Sequence, residues 1–254
     1  MTTLFSWFGK LLQYLRTLAA IGMLCLLLSS LPAQAASRID PKLEQQVLQI
    51  IREHPEEIIE SVQVYQQQQQ QKLNQVRQGF LQNFKANPQA VIGDSPTTGS
   101  TQSKILLLEF SDFQCPYCAE AHKTLKQLLA KYQDKVTLIY KNLPLTSIHS
   151  QALPAATAAW AAYQQGKFWE YHDALFTNQK QLGEELYLDI AKNLNLDLAK
   201  FQRDRTLATP AIKKDIDLAE KLAVSGTPFF IINSPTVSGV VELSDIEKIL
   251  TDTK

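Results

Sequence analysis

Two cysteines three positions apart, in the run Cys115-Pro116-Tyr117-Cys118, are the residues here whose type and spacing best suit chemistry. Thiols so placed can close a small disulfide ring and reopen it, passing two electrons to or from another dithiol. Ile105–Phe110 before them is a short apolar run that reads as a buried strand. Cys118, Ala121, Leu125, Leu128, Leu129 and Tyr132 then follow helical spacing, so the pair opens a helix. Unsatisfied N–H groups and the positive end of the helix dipole favour a thiolate at the first position. Pro116 suits the first turn, where its missing N–H is not needed. Cys118, one turn in, is expected to be more buried and to attack the first sulfur.

Other uses of the pair stay open on the residues alone. A structural disulfide closing so short a loop would stabilise by only about 2 kcal/mol. Zinc needs four ligands, and although His122 follows Cys118 by four residues, the other histidines (His54, His149, His172) form no motif. Haem attachment wants histidine directly after the second cysteine, where Ala119 stands. Copper(I) capture by two thiolates is chemically reasonable. Among the 254 residues, 25 Lys and Arg balance 25 Asp and Glu, which removes the electrostatic case for nucleic acid. Three cysteines are too few for a disulfide scaffold.

The compartment follows from the N-terminus. Residues 1–35 carry Lys10 and Arg16, no acid, the apolar run Leu18–Leu28, and then Pro32-Ala33-Gln34-Ala35-Ala36. This is the pattern of a secretory signal with cleavage after Ala35. The apolar stretch is shorter than the ~20 residues of a spanning helix, and an uncleaved segment would be a membrane anchor instead. Cleavage removes Cys25 and leaves Cys115 and Cys118 in an exported chain, periplasmic or equivalent, where disulfides persist.

The rest of the chain must position the pair. Residues 36–86 read as a helical arm or stalk, with helices over about 41–53 and 55–85. Asp40-Pro41 and His54-Pro55-Glu56-Glu57 are their start signals. Leu43, Val47, Ile50, Ile51, Ile58, Val62 and Tyr65 keep three/four spacing, as do Leu73, Val76, Phe80 and Phe84. Gln66–Gln71 interrupts the two sets. Such an arm either packs on its own domain or pairs with other copies. Residues 87–103, dense in Pro, Gly, Ser and Thr, read as a linker. From 104 to 254 the expected order is strand, helix, strand (136–140), a helical block over 149–223, two strands (229–232 and 237–241) and a closing helix (244–250).

Leu107-Leu108-Glu109-Phe110-Ser111-Asp112-Phe113-Gln114-Cys115-Pro116-Tyr117-Cys118 resembles the active-site segment of DsbA-type thiol:disulfide oxidoreductases, in the thioredoxin-like superfamily. Lys167-Phe168-Trp169-Glu170-Tyr171-His172-Asp173-Ala174-Leu175-Phe176 resembles a helix of that family. Val224-Ser225-Gly226-Thr227-Pro228-Phe229-Phe230 resembles its cis-proline loop. The resemblance implies an α/β thioredoxin fold with a helical insertion, preceded here by the helical arm. It implies Cys115 as the exposed attacking cysteine, Cys118 as the resolving one, and Glu109 as a buried acid serving proton transfer at Cys118. Thr227, Pro228, Pro116 and Tyr117 would meet the substrate. His122 reads either as tuning Cys115 or as a solvent-facing helix residue, and Trp160 and Trp169 as core.

The implied activity is disulfide formation in reduced exported polypeptides, with a quinone-linked membrane partner for reoxidation and no metal or organic cofactor. Pro-Tyr replaces the Pro-His of the strongest oxidants, so no imidazole helps hold the thiolate. That predicts a couple less oxidising than about −120 mV. His54-Pro55-Glu56-Glu57-Ile58-Ile59 resembles the N-terminal region of longer relatives, some of which oligomerise and act as isomerases. An isomerase or reductase, or a copper or metal carrier, is therefore the alternative.

Overall fold

The computed structural model describes residues 40–100, 102–132, 134–233 and 238–252; the expected export signal, with Cys25, lies outside them. The chain divides into two compact units at Tyr65/Gln66. In the first, helix α1 (Pro41–Glu53) starts where the sequence says it should, with the Asp40 carboxylate accepting from Lys42 N at 2.9 Å and Pro41 in the first turn. Helix α2 (Pro55–Ala86) begins in this unit and ends in the second. Leu43, Val47, Ile50, Ile51, Ile58, Val62 and Tyr65 are each 42–62% exposed. Their apolar stripe is left uncovered.

In the second unit a five-stranded sheet runs in the order β1-β3-β2-β4-β5. The strands are β1 (Thr97–Gly99), β2 (Ile105–Ser111), β3 (Val136–Asn142), β4 (Phe229–Asn233) and β5 (Ser238–Val241). Between β2 and β3 lies helix α4 (Pro116–Tyr132), a parallel crossover that returns the chain with Glu109 opposite Tyr140. β4 runs antiparallel to β2, β5 antiparallel to β4, and β1 antiparallel to β3. All residues of β2 and β3 are buried, which is why the sequence shows apolar runs there rather than alternation.

Side-chain alternation divides the core into two faces. Ile105, Leu107, Val136, Leu138, Phe230 and Ile232 meet Leu125 and Leu128 of α4 and Ile246 and Leu250 of a C-terminal helix, Leu243–Asp252. Leu106, Leu108, Phe110, Ile139 and Ile231 face Phe84 of α2 and Leu222. Ser111 and Glu109 point to the α4 side, so both fall behind the cysteines. The thioredoxin fold expected from the resemblance is present.

The helical insertion comprises α5 (Ala152–Tyr163), α6 (Phe168–Thr177), α7 (Glu184–Asn193), α8 (Leu198–Leu207) and α9 (Thr209–Lys221). Ala155, Ala158, Ala159, Ala161 and Ala162 are fully buried on α5, and these small side chains let its neighbours approach closely. Tyr171, Tyr187 and Phe201 fill the space around them.

The expected linker over 87–103 is corrected. It holds a short helix, α3 (Pro88–Ile92), and the edge strand β1, with Val91 and Pro96 buried. Gly99 explains part of its composition: its φ is +92°, and an added Cβ would lie 2.1 Å from Val136 O. Proline and glycine here terminate and turn short elements against β3. The arm is also shorter than expected, because Phe84 is buried in the core of the second unit and Val76 and Phe80 pack against that core. Arg77 Nε donates to Leu222 O at 2.9 Å and ties this end of α2 to the end of α9.

Candidate active site

The strand-to-helix turn after β2 carries the two cysteines, and both are free thiols. Asp112 builds the turn. Its Oδ1 accepts from Gln114 N at 2.7 Å, and its Oδ2 accepts from Leu145 N at 2.9 Å and lies 2.8 Å from His149 Nδ1. Gln179, on the short 3-10 helix Gln179–Gln181, donates from Nε2 to Phe113 O and Cys115 O, both at 2.9 Å. The insertion thus clamps the loop it covers. Sequence reasoning passed over Asp112, His149 and Gln179, since only the folded chain brings residues this far apart in sequence to one loop.

Cys118 is inaccessible, as expected, but Cys115 is only 4% exposed rather than an exposed thiol. The thiol leans inward and donates to Thr227 O at 3.3 Å across the loop that precedes β4. The Thr227–Pro228 peptide bond is cis. Pro116 opens α4, and Tyr117 beside it is 75% exposed. Cys115, Cys118 and Thr227 therefore meet, with Pro116, Tyr117 and Pro228 beside them in the chain.

The two sulfurs are electrostatically unlike. A hydrogen bond from the Cys118 thiol pushes Cys115 down to about 5. Burial opposes this, while the Thr227 side chain and the backbone N–H groups of Cys118 and Tyr117 add to it. Burial drives Cys118 far up, and its bond to Cys115 raises it further. At neutral pH the reduced pair therefore holds one thiolate, on Cys115, and one proton, on Cys118. A low-pKa attacking sulfur is also a good leaving group.

Glu109 lies one layer below. It is 2% exposed, and burial raises its carboxyl to about 7. Tyr140, its register partner, lies within electrostatic reach of both Glu109 and Cys118, and the Tyr140 hydroxyl has no hydrogen-bond partner among the described residues. An acid poised near neutrality on the strand that leads into the cysteine turn is suited to proton transfer, the role implied by the resemblance. Its ionisation has a signed consequence for stability. The unfolded carboxyl ionises near 4.3 and the folded one near 7, so stability falls as pH rises through that window. Glu109→Gln is therefore expected to gain up to about 3 kcal/mol at pH 8 over its effect at pH 5, while exchange slows. Denaturant unfolding at the two pH values measures the first; an equal effect at both would refute the buried-acid assignment.

His122 is not solvent-facing. Its side chain is 12% exposed and stacks on Phe176, with ring centroids 5.1 Å apart. With Glu109, His172, Asp173 and Trp169 it lines a cavity of about 200 Å3 on the α4 side of the sheet. Trp169 does not belong wholly to the core, since its Nε1 donates to Thr97 O at 2.7 Å.

Comparison with known proteins agrees with this geometry. Residues 92–252 match the profile of a family described as Thioredoxin. A thioredoxin-like oxidoreductase from Silicibacter pomeroyi DSS-3 is 32% identical, with a TM-score of 0.56 over 65% of this chain and 96% of that one. The thiol-disulfide exchange protein alpha-DsbA2 from Wolbachia pipientis is 25% identical, with a TM-score of 0.58 over 72% and 97%. ScsC of Proteus mirabilis, 22% identical, shares the fold over 86% of this chain and 98% of that one, with a TM-score of 0.56. Among curated sequences, the Na(+)/H(+) antiporter NhaA 3 of Salinispora tropica is 41% identical over 138 residues. That match covers 53% of this chain and only 21% of the antiporter. No helix among the described residues is long and apolar enough to cross a membrane.

Proposed function

Since the chain belongs to the thioredoxin-like superfamily, among the DsbA-type thiol:disulfide oxidoreductases, we propose that it forms disulfides in exported polypeptides through Cys115 and Cys118. The observation that carries this is the unequal pair. Cys115 is stabilised as a thiolate and Cys118 is held as a thiol, so the reduced form is favoured and the disulfide gives up its oxidising equivalents readily. In the oxidised enzyme a substrate thiolate attacks Cys115 Sγ, forming a mixed disulfide and releasing Cys118, which takes up a proton. A second substrate thiolate then attacks the substrate sulfur of that bond. The substrate leaves with a disulfide, two electrons remain on the enzyme, and Cys115 departs as a thiolate. Thr227-Pro228 and the exposed Tyr117 supply the surface for an extended peptide. Reoxidation is assigned to a membrane partner that passes the electrons to a quinone, and export to the segment 1–35.

Equilibrium of the Cys115/Cys118 couple with glutathione tests the direction of flow. A potential well above about −200 mV is expected, whereas one near −270 mV would mark a reductant or a reshuffling enzyme and overturn the oxidase reading.

The uncovered stripe on residues 43–65 supports a second partner, another copy of the chain, and with it the isomerase alternative. Apolar residues at three/four spacing on two successive helices are what a helical seam requires. Deletion of residues 36–65 is expected to convert an oligomer to a monomer in sedimentation while preserving exchange. The cut must stop there, because removal through residue 86 would strip Phe84 from the core. A monomer in both cases would refute the seam.

A further inference from the structure

Two histidines that form no motif in the sequence meet in the fold. His122 comes from α4 and His172 from α6, and their rings cross edge to face with centroids 5.0 Å apart. Asp173 completes the group. Its Oδ1 lies 3.6 Å from His122 Nε2 and 3.4 Å from His172 Nδ1. One donor atom from each residue falls within 4.8 Å of the other two. Around a four-coordinate zinc with bonds of 2.0–2.2 Å, donors lie roughly 3.4 Å apart, so the two separations to Asp173 already match and the imidazole nitrogens would close by up to about 1.4 Å.

We propose that His122, His172 and Asp173 form a binding site for a divalent transition-metal ion, with zinc the best match. Two imidazoles and a carboxylate are the donor set that such ions take, and it is unsuited to magnesium or calcium, which want mainly oxygen. Lys126 Nζ holds Asp173 Oδ2 at 2.6 Å, which orients the carboxylate and leaves Oδ1 toward the imidazoles. Both rings are pinned, His122 by its stack on Phe176 and His172 by edge contacts with Phe113 and Tyr140.

His172 has a second ring nitrogen, across the imidazole from the Nδ1 that faces Asp173. The His172 side chain is 4% exposed, yet its Nε2 has no hydrogen-bond partner among the described residues. A buried polar atom without a partner is uncommon and calls for a water, whose hydrogen bond to Nε2–H would leave the Nδ1 lone pair free for the ion. The same three residues line the cavity of about 200 Å3, which leaves room for a further ligand. Glu109 also lies on its wall, and Asp173 is the carboxylate that would meet the ion. The site uses neither cysteine, and it stands or falls independently of disulfide exchange.

The test uses the full chain with C25S, C115S and C118S, so that no thiol binds metal, titrated with Zn2+ against a chromophoric chelator. A single Zn2+ per chain is expected, weakened at least about tenfold by H122Q and by D173N, with no competition from Mg2+. Failure of the triple-serine chain to bind Zn2+, or binding unchanged by both substitutions, overturns the site. Should either variant lose its near-ultraviolet dichroism, H122C added to the same chain decides the matter. Bound Co2+ is then expected to show a thiolate charge-transfer band, and its absence overturns the proposal.

Discussion

A chain carrying Cys115→Ser is expected to show no catalysis of oxidative refolding above the uncatalysed background. The chemistry passes through one sulfur: Cys115 is attacked in the oxidised enzyme and leaves as the low-pKa thiolate, pushed down to about 5. Serine supplies neither a thiolate nor a disulfide, and no other cysteine stands among the described residues except Cys118, which is fully buried. Cys118→Ser should behave differently. It keeps the attacking sulfur and an O–H donor beside it but has no second thiol to expel the substrate, so a substrate bearing a single thiol, treated with disulfide-activated enzyme, accumulates as a mixed disulfide on non-reducing gels. Refolding activity surviving in Cys115→Ser would refute the assignment of the pair.

The second large effect is a pH dependence confined to the reduced state. A group whose folded pKa is depressed stabilises the fold fully above its unfolded pKa, about 8.5 for a thiol, and loses that contribution as pH falls through the folded value. For Cys115 the window runs from about 5 to 8.5. The reduced protein should therefore gain stability over the oxidised protein across that range, while the disulfide form, which has no thiol to titrate, should not. The potential carries the same information. Below pH 5 two protons accompany two electrons, for a slope of about 59 mV per pH unit; above it only Cys118 takes a proton, and the slope falls to about 30 mV. Alkylation of the reduced enzyme should show a midpoint near 5. In Cys118→Ala that midpoint should rise, because the hydrogen bond contributing most to the shift is gone. An unchanged midpoint would mean that the helix terminus alone holds the thiolate.

Much of this architecture can be read without coordinates, and the reason is local. The start of α1 at Asp40-Pro41, the buried strand Ile105–Ser111 and the placing of Cys115 at the mouth of a helix are set by neighbours within a few residues. The misreadings are local too. Residues 87–103 look like a linker because Pro, Gly, Ser and Thr serve tight turns as readily as flexible chain. What makes them structure is the pairing of Thr97–Gly99 with Thr137–Ile139, some forty residues away. The arm reads longer than it is for the same reason. Phe84 reads as one more position on a stripe until the sheet that covers it is known.

By itself the sequence determined the chemistry on offer: two thiols at the spacing of a helical turn, a proline between them, and an acid six residues upstream on the same strand. Tertiary structure alone decided the rest. It turned Cys115 in toward Thr227, buried Glu109 deeply enough to hold its proton near neutrality, and brought Gln179 across to fix the loop. It also joined His122 to His172, fifty positions apart. Residue type and spacing act over a helical turn or a strand, whereas burial, which sets a pKa, and convergence, which makes a site, depend on which distant surfaces the fold brings together.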